Sequence, residues 1–234
     1  MIKNSKKNKA CIVALIPARS ESKSIKDKNI IVYKGKPLLA HSIISALKCK
    51  LVSKVIVSTD SLVYKKIAIS YGAEVPFIRP KKISRDNSLD LNFIKHAYNF
   101  LLNSGMKIDL IVLLRPTSPN RKVDVLNNAI RTFLKKKTKY DSLRSVSHFN
   151  QPPEKMFMIK KKQLKGYFDK KYPGEYHSWP RQKFSKTYLP NGYIDILKPS
   201  FFKYRKNKIY GKMYPFLTEE TLDIDYKDDL KKKF

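Results

Sequence analysis

Arg19, Lys23, Lys26 and Lys28 crowd a short stretch directly after an apolar run, CIVALI, that breaks at Pro17. Cations on a loop at the end of a buried strand make a seat for a multiply charged phosphate, because hydrogen bonds to ionised groups are the strong ones. The stretch contains neither GxxxxGKS/T nor GxGxxG, so it is not one of the common phosphate loops. A solvated basic loop is the plain alternative, and spacing alone does not choose between the two.

A second group lies in LLRPTSPNR, 113–121. Two prolines bracket Thr117 and Ser118 just after an apolar strand, and prolines stiffen a loop. Arg115 and the hydroxyls would then project from a fixed frame. A third group is TLDIDYKDDL, 221–230, in which Asp223 and Asp225 are two residues apart. On a strand they would face one side, and paired carboxylates suit Mg²⁺, which takes one or two carboxylates plus phosphate oxygens and keeps several waters. Asp228 and Asp229 fit better as acids at a helix N-terminus.

The four histidines, His41, His96, His148 and His177, have no metal-ligand spacing, and no Ser/His/Asp or Cys/His arrangement is evident. Trp179 with Tyr172, Tyr176 and Phe184 is interleaved with basic residues. Such aromatics could stack bases or fill a dimer interface.

These groups need elements to hold them. CIVALI reads as a buried strand, and so do Lys54–Ser58, Glu74–Ile78, Asp109–Leu114, Ser142–Ser147 and Gly192–Leu197. Helical spacing marks Leu38–Lys50, Leu62–Ser70, Asp90–Leu102 and Asp124–Leu134, with a last helix from Asp228. Alternation of this kind predicts an α/β fold: a mostly parallel sheet with helices on both faces. Ligands of such sheets bind beyond the carboxyl ends of the strands. That places the loops after CIVALI, VIVSTD and DLIVLL on the functional edge. From 149 to 190 the pattern changes to aromatics, prolines and lysines, which reads as an inserted arm suited to dimer contacts. With no repeat and no low-complexity linker, the expectation is one domain over 1–234 carrying that excursion.

The net charge of +31 attracts polyanions, but the lysines are spread along the whole chain, so only cations inside motifs argue for a role. Two cysteines, Cys11 and Cys49, fit a reduced, cytoplasmic protein. No apolar run approaches the ~18 residues of a transmembrane helix, and MIKNSKKNK reads as a short tail, not a signal peptide.

In order, IPARSESKSIKDKN, VIVSTD, RP, LLRPTSPNR, PRQ, PNGYIDI and DIDYKDDL resemble the acylneuraminate cytidylyltransferase family, the CMP-sialic acid synthetases, over nearly the whole chain. The resemblance implies a Rossmann-like nucleotidyltransferase that activates a nonulosonic acid with CTP, for surface glycan synthesis. It assigns CTP to Arg19, Lys23, Lys28 and Asn29, with Arg79 and Asp86 nearby. It assigns the nine-carbon acid sugar to Arg115, Thr117, Ser118, Asn191 and Gly192, and Mg²⁺ to Asp223 and Asp225. The arm would cross to a second subunit of a homodimer, where Lys155 and Arg181 match cations that neutralise the sugar carboxylate. Arg19, Lys28 and Asp225 carry the implied catalysis. The chain departs from the family pattern in three places: SESK brings Glu21 beside the triphosphate, Arg115 replaces a glutamine, and Leu189 precedes PNG where arginine is common.

Three other readings remain. A cytidylyltransferase for an eight-carbon ulosonic acid would usually show a QGDEP-like stretch where this chain has RPTSP. A basic nucleic-acid-binding protein would gather its cations into one stripe, and these do not. A homologue impaired by Glu21 and Leu189 would keep the fold without the activity.

Overall fold

The computed structural model describes residues 10–22, 24–205 and 208–232. Among the described residues ten strands form: β1 (Ile12–Pro17), β2 (Val32–Tyr33), β3 (Lys36–Pro37), β4 (Lys54–Ser58), β5 (Leu110–Leu113), β6 (Ser142–Phe149), β7 (Phe157–Lys160), β8 (Gln163–Gly166), β9 (Thr187–Leu197) and β10 (Met213–Leu217). The helices are α1 (Leu38–Leu47), α2 (Leu62–Ser70), α3 (Asp90–Asn103), α4 (Val123–Lys136) and the one-turn α5 (Pro199–Phe202).

Six strands make the central sheet, in the order β10-β6-β9-β5-β1-β4. β1 runs parallel to β4 and β5, and β10 parallel to β6. β9 is the exception, antiparallel to both β5 and β6. Successive residues of a strand face opposite sides, and β1 shows what that does. Ile12, Ala14 and Ile16 pack against α1, α2 and α4 on one face. Val13 and Leu15 pack against α3 and Phe202 of α5 on the other. Burial on both sides explains why CIVALI is continuously apolar.

Two expected elements differ. Glu74–Ile78 is not a strand: Glu74 makes a single bridge with Ile56, and Pro76 has no N–H with which to continue a ladder. The C-terminal segment from Lys227 to Lys231 is a 3₁₀ turn in place of the expected helix.

The 149–190 arm continues the β6–β9 pair outward, through Val146↔Pro190 to Phe149↔Thr187. It carries the separate β7–β8 hairpin, whose turn residues Lys161 and Lys162 both have positive φ, 50° and 63°. Tyr172, Tyr176, Trp179 and Phe184 pack against one another inside the arm, with Tyr176 fully buried. These rings are therefore occupied with holding the arm together. The most exposed apolar side chains of the arm lie on the hairpin instead, with Ile159 at 80% and Leu164 at 66% exposure.

Candidate active site at the strand ends

Chain direction creates the crevice. From β1 the chain moves through α1 to β4 on one side, whereas β5 lies on the other side of β1. The loops leaving β1 and β5 thus diverge, the arrangement that opens a ligand crevice in doubly wound sheets. A cavity of about 290 Å³ lies there, lined by Arg19, Lys28, Asn29, Arg79, Asp86, Arg115 and Thr117, together with Arg85, Asp90 and Phe93.

The cations are held in place. Arg19 pairs with Asp86 at 3.0 Å and donates to the Arg85 carbonyl at 2.8 Å. Lys28 Nζ lies 2.7 Å from Asp225 Oδ1. Asn29 is buried and ties the loop across itself, its Nδ2 donating to the Arg19 carbonyl at 2.9 Å. Arg79 is only 3% exposed; it donates to the Ser58 hydroxyl and carbonyl at the end of β4 and stacks on Phe93. Burial pulls its pKa down to about 10, with Asp60 acting against that shift and Arg19 adding to it.

After β5, Arg115 does something unexpected for a substrate-binding residue. Its guanidinium is gripped by Asp195 and Asp90, each at 2.7 Å. Asp195 is fully buried on β9 and also accepts from the Tyr210 hydroxyl at 2.9 Å. Burial works to lower the Arg115 pKa, but Asp195 and Asp90 outweigh it and hold it above the usual arginine value. The charge of Arg115 is thus largely met from within the chain. Its carbonyl accepts from Ser42 Oγ and from Arg121 Nη2. Arg121 is 5% exposed and also donates to the Tyr193 carbonyl and Ser42 Oγ, and burial pulls its pKa down to about 10.

Asp223 and Asp225 are not on a strand, yet the expected alternation survives. Leu222 and Ile224 are buried in a small core with Ile25, Tyr33 and Leu38, and the two carboxylates point the other way. The Ile224 N–H donates to the Thr117 carbonyl at 2.8 Å, which fastens this segment to the loop after β5. The Thr117 side chain lies beside the Asp223 carboxylate and favours its charged form. Partial burial raises the Asp223 pKa, as does Asp225, against the lowering pull of Thr117 and Lys28. Asp229 takes the capping role: its Oδ2 accepts from the Asp225 and Tyr226 N–H groups.

This donor set fits a hard cation. Lys28 already brings a positive charge against Asp225, so the spot is one that the fold fills with a cation. Among the described residues no group of three His, Cys, Asp or Glu could hold a metal, so protein carboxylates alone would not complete the shell. That is the situation in which Mg²⁺ takes phosphate oxygens and water.

Other predicted site residues lie apart from the cavity. Ser118 is fully buried, with its hydroxyl unpartnered. Asn191 accepts from Ser145 Oγ and donates to Thr218 Oγ1, both at 2.7 Å, so its amide braces an irregularity where β9 bulges against β6. Gly192 sits in that bulge at φ 65°, a conformation that favours glycine, with the Arg115 side chain next to it. Lys155 and Arg181 are in the arm, Arg181 donating to the Asn150 carbonyl at 3.3 Å. Glu21 is exposed and does not line the cavity. Lys23 lies outside the described residues. The sequence reading missed Arg85, Asp90, Phe93, Arg121 and Asp195. Arg121 closes the LLRPTSPNR motif, and that position was its only signal.

A family model described as Cytidylyltransferase matches residues 13–233. An N-acylneuraminate cytidylyltransferase of Escherichia coli is 33% identical over 94% of this chain, which spans 50% of that relative's length. A pseudaminic acid cytidylyltransferase of Campylobacter jejuni is 31% identical over 68% of each. A CMP-N,N'-diacetyllegionaminic acid synthase of Legionella pneumophila is 36% identical over 51% of each. Among solved structures, a CMP:2-keto-3-deoxy-manno-octonic acid synthetase complexed with CTP shares the fold, with a TM-score of 0.69 at 14% identity, covering 95% of this chain and 96% of that one. The family model spans nearly the whole chain, and the chain belongs to the cytidylyltransferase family.

Proposed function

We propose that this protein joins CMP to a nonulosonic acid, using CTP and releasing pyrophosphate. The observation that carries the reading is the cavity at the ends of β1 and β5, where Arg19, Lys28 and Arg79 converge beside the Asp223–Asp225 segment. Relatives named for sialic, pseudaminic and legionaminic acids support the sugar class.

In the proposed reaction the anomeric oxygen of the sugar attacks the α-phosphorus of CTP. The bond from that phosphorus to the β-phosphate bridging oxygen breaks, pyrophosphate leaves, and the hydroxyl proton passes to solvent. Such chemistry needs positioning and charge stabilisation more than covalent participation. Arg19 and Lys28 stabilise the charge that grows on the leaving pyrophosphate. Arg79 adds a desolvated positive charge whose position is set by Ser58 and Phe93. Asp223 and Asp225 are the residues to hold Mg²⁺, which would supply Lewis-acid stabilisation at phosphate oxygens. Arg115, neutralised by Asp90 and Asp195, frames the floor between α3, β5 and β9. Thr117 borders it. In this reading Lys155 and Arg181 act across a homodimer, brought by the arm to the partner's sugar carboxylate.

The test is to incubate the protein with four nucleoside triphosphates and a panel of acid sugars, eight-carbon ulosonic acids included, and to measure pyrophosphate. Release with CTP and a nine-carbon acid, abolished by EDTA and restored by Mg²⁺, is the expected result. No release with any pair overturns the reading. Release only with an eight-carbon acid moves the substrate class.

A further inference from the structure

We infer that Asp60 and Tyr64, neither of which lines the cavity, are positioning residues that fix its cations from behind. The inference rests on the nucleotide reading above and adds to it the device that holds the loop in shape.

Both residues sit at the start of α2, four positions apart, on one turn of chain that is itself capped. Ser61 Oγ accepts from the Tyr64 N–H at 3.3 Å, and Thr59 Oγ1 accepts from the Ser61 N–H at 3.2 Å. From this base Asp60 grips Ser20 with both oxygens: Oδ1 accepts from the Ser20 N–H and Oδ2 from its hydroxyl, each at 2.8 Å. The Tyr64 hydroxyl, on a ring that is fully buried, donates to Asp27 Oδ1 at 3.1 Å. Ser20 directly follows Arg19, and Asp27 directly precedes Lys28. Each attachment therefore adjoins one of the cations that line the cavity.

Asp27 shows why an attachment is needed. It has φ 53° and ψ 32°, left-handed backbone that is disfavoured for a residue with a Cβ. The turn is retained because the Ile30 N–H donates to the Asp27 carbonyl at 2.9 Å and Tyr64 holds the side chain. Relaxing that conformation would rotate Lys28 and Asn29 away from Arg19, whose carbonyl Asn29 binds. Positioned cations lose much of their worth when they must be ordered by the ligand itself.

The experiment uses Tyr64→Phe, which keeps the buried ring and removes only the hydroxyl, and Asp60→Asn, which keeps one acceptor. Inorganic tripolyphosphate binding is measured by calorimetry, KM for CTP and for the sugar by pyrophosphate release, and amide exchange across 18–31 by mass spectrometry. Each variant is expected to weaken tripolyphosphate binding and raise KM for CTP by about tenfold, to leave KM for the sugar unchanged, and to speed exchange in the loop. A lower Tm with unaltered tripolyphosphate affinity assigns both residues to the fold alone and overturns the inference. If the unaltered protein binds neither tripolyphosphate nor CTP, the nucleotide reading fails. Exchange still decides the attachments in that case: no change in either variant overturns them.

Discussion

The strand-end cavity and the 149–190 arm both carry cations, and they hold them differently. In the cavity Arg19, Lys28 and Arg115 each rest on a carboxylate, and the loops bearing them are fastened to sheet or helix. The arm is organised around its own rings, Tyr172, Tyr176, Trp179 and Phe184, and presents Met158, Ile159 and Leu164 outward on the β7–β8 hairpin. One region is preorganised by the main core. The other is a small aromatic cluster with an apolar surface to spare, the kind of surface that a second subunit covers. Chemistry that needs fixed charge suits the first, and in the proposed homodimer contact with a mate would fall to the second.

The largest effect is expected at Asp225. Asp225→Asn should lower kcat by roughly 10²–10³-fold while the circular dichroism spectrum stays unchanged. Asp223→Asn should also cost activity, yet leave Tm equal or higher, because its raised pKa shows that the charged form is disfavoured in the fold. A parallel fall in Tm and activity would make these carboxylates structural. Next comes the arm. Lys155→Ala and Asp225→Asn homodimers should each be nearly inactive, whereas a mixed population after subunit exchange should regain activity from sites with both residues intact. No recovery, or sedimentation as a monomer, confines the arm to its own chain. A smaller effect follows from Ile159→Glu with Leu164→Glu, which should weaken self-association in sedimentation without disturbing tripolyphosphate binding. The smallest is Lys161→Asn with Lys162→Gly. Both positions have positive φ in a two-residue hairpin turn, where Asn-Gly is preferred, so the pair should stabilise the hairpin by up to about 1 kcal/mol. Slower amide exchange in β7 and β8, with kcat unchanged, is the expected readout.

Periodicity made the sheet region legible. Leu62–Ser70 forms α2 over the span its apolar spacing predicted, and the unbroken CIVALI run is a strand buried on both faces. Direction was not legible, since an apolar strand reads alike both ways, and β9 turned out antiparallel. Glu74–Ile78 had strand composition, but Pro76 limits its pairing to one bridge. The Asp223–Asp225 alternation held without a ladder because Leu222 and Ile224 have their own core to enter. The ion pairing of Arg115 was not legible for a different reason. Its partners Asp90 and Asp195 lie 25 and 80 positions away, and no local pattern announces a contact at that range.

Arg79 and Arg121 leave a last consequence. Both guanidiniums are buried, and among the described residues neither has a carboxylate within ion-pair distance. Hydrogen bonds to carbonyls and hydroxyls satisfy their N–H groups but leave the charge unbalanced, which taxes the native state. Arg79 lines the cavity, so an anion entering there relieves its share of that tax and acts as a folding ligand. By mass action, one present at a hundred times its Kd stabilises the native state by about 2.7 kcal/mol. Tripolyphosphate should therefore raise the melting temperature well beyond what chloride of equal ionic strength achieves, and the protein is best stored and crystallised with a polyanion in its cleft.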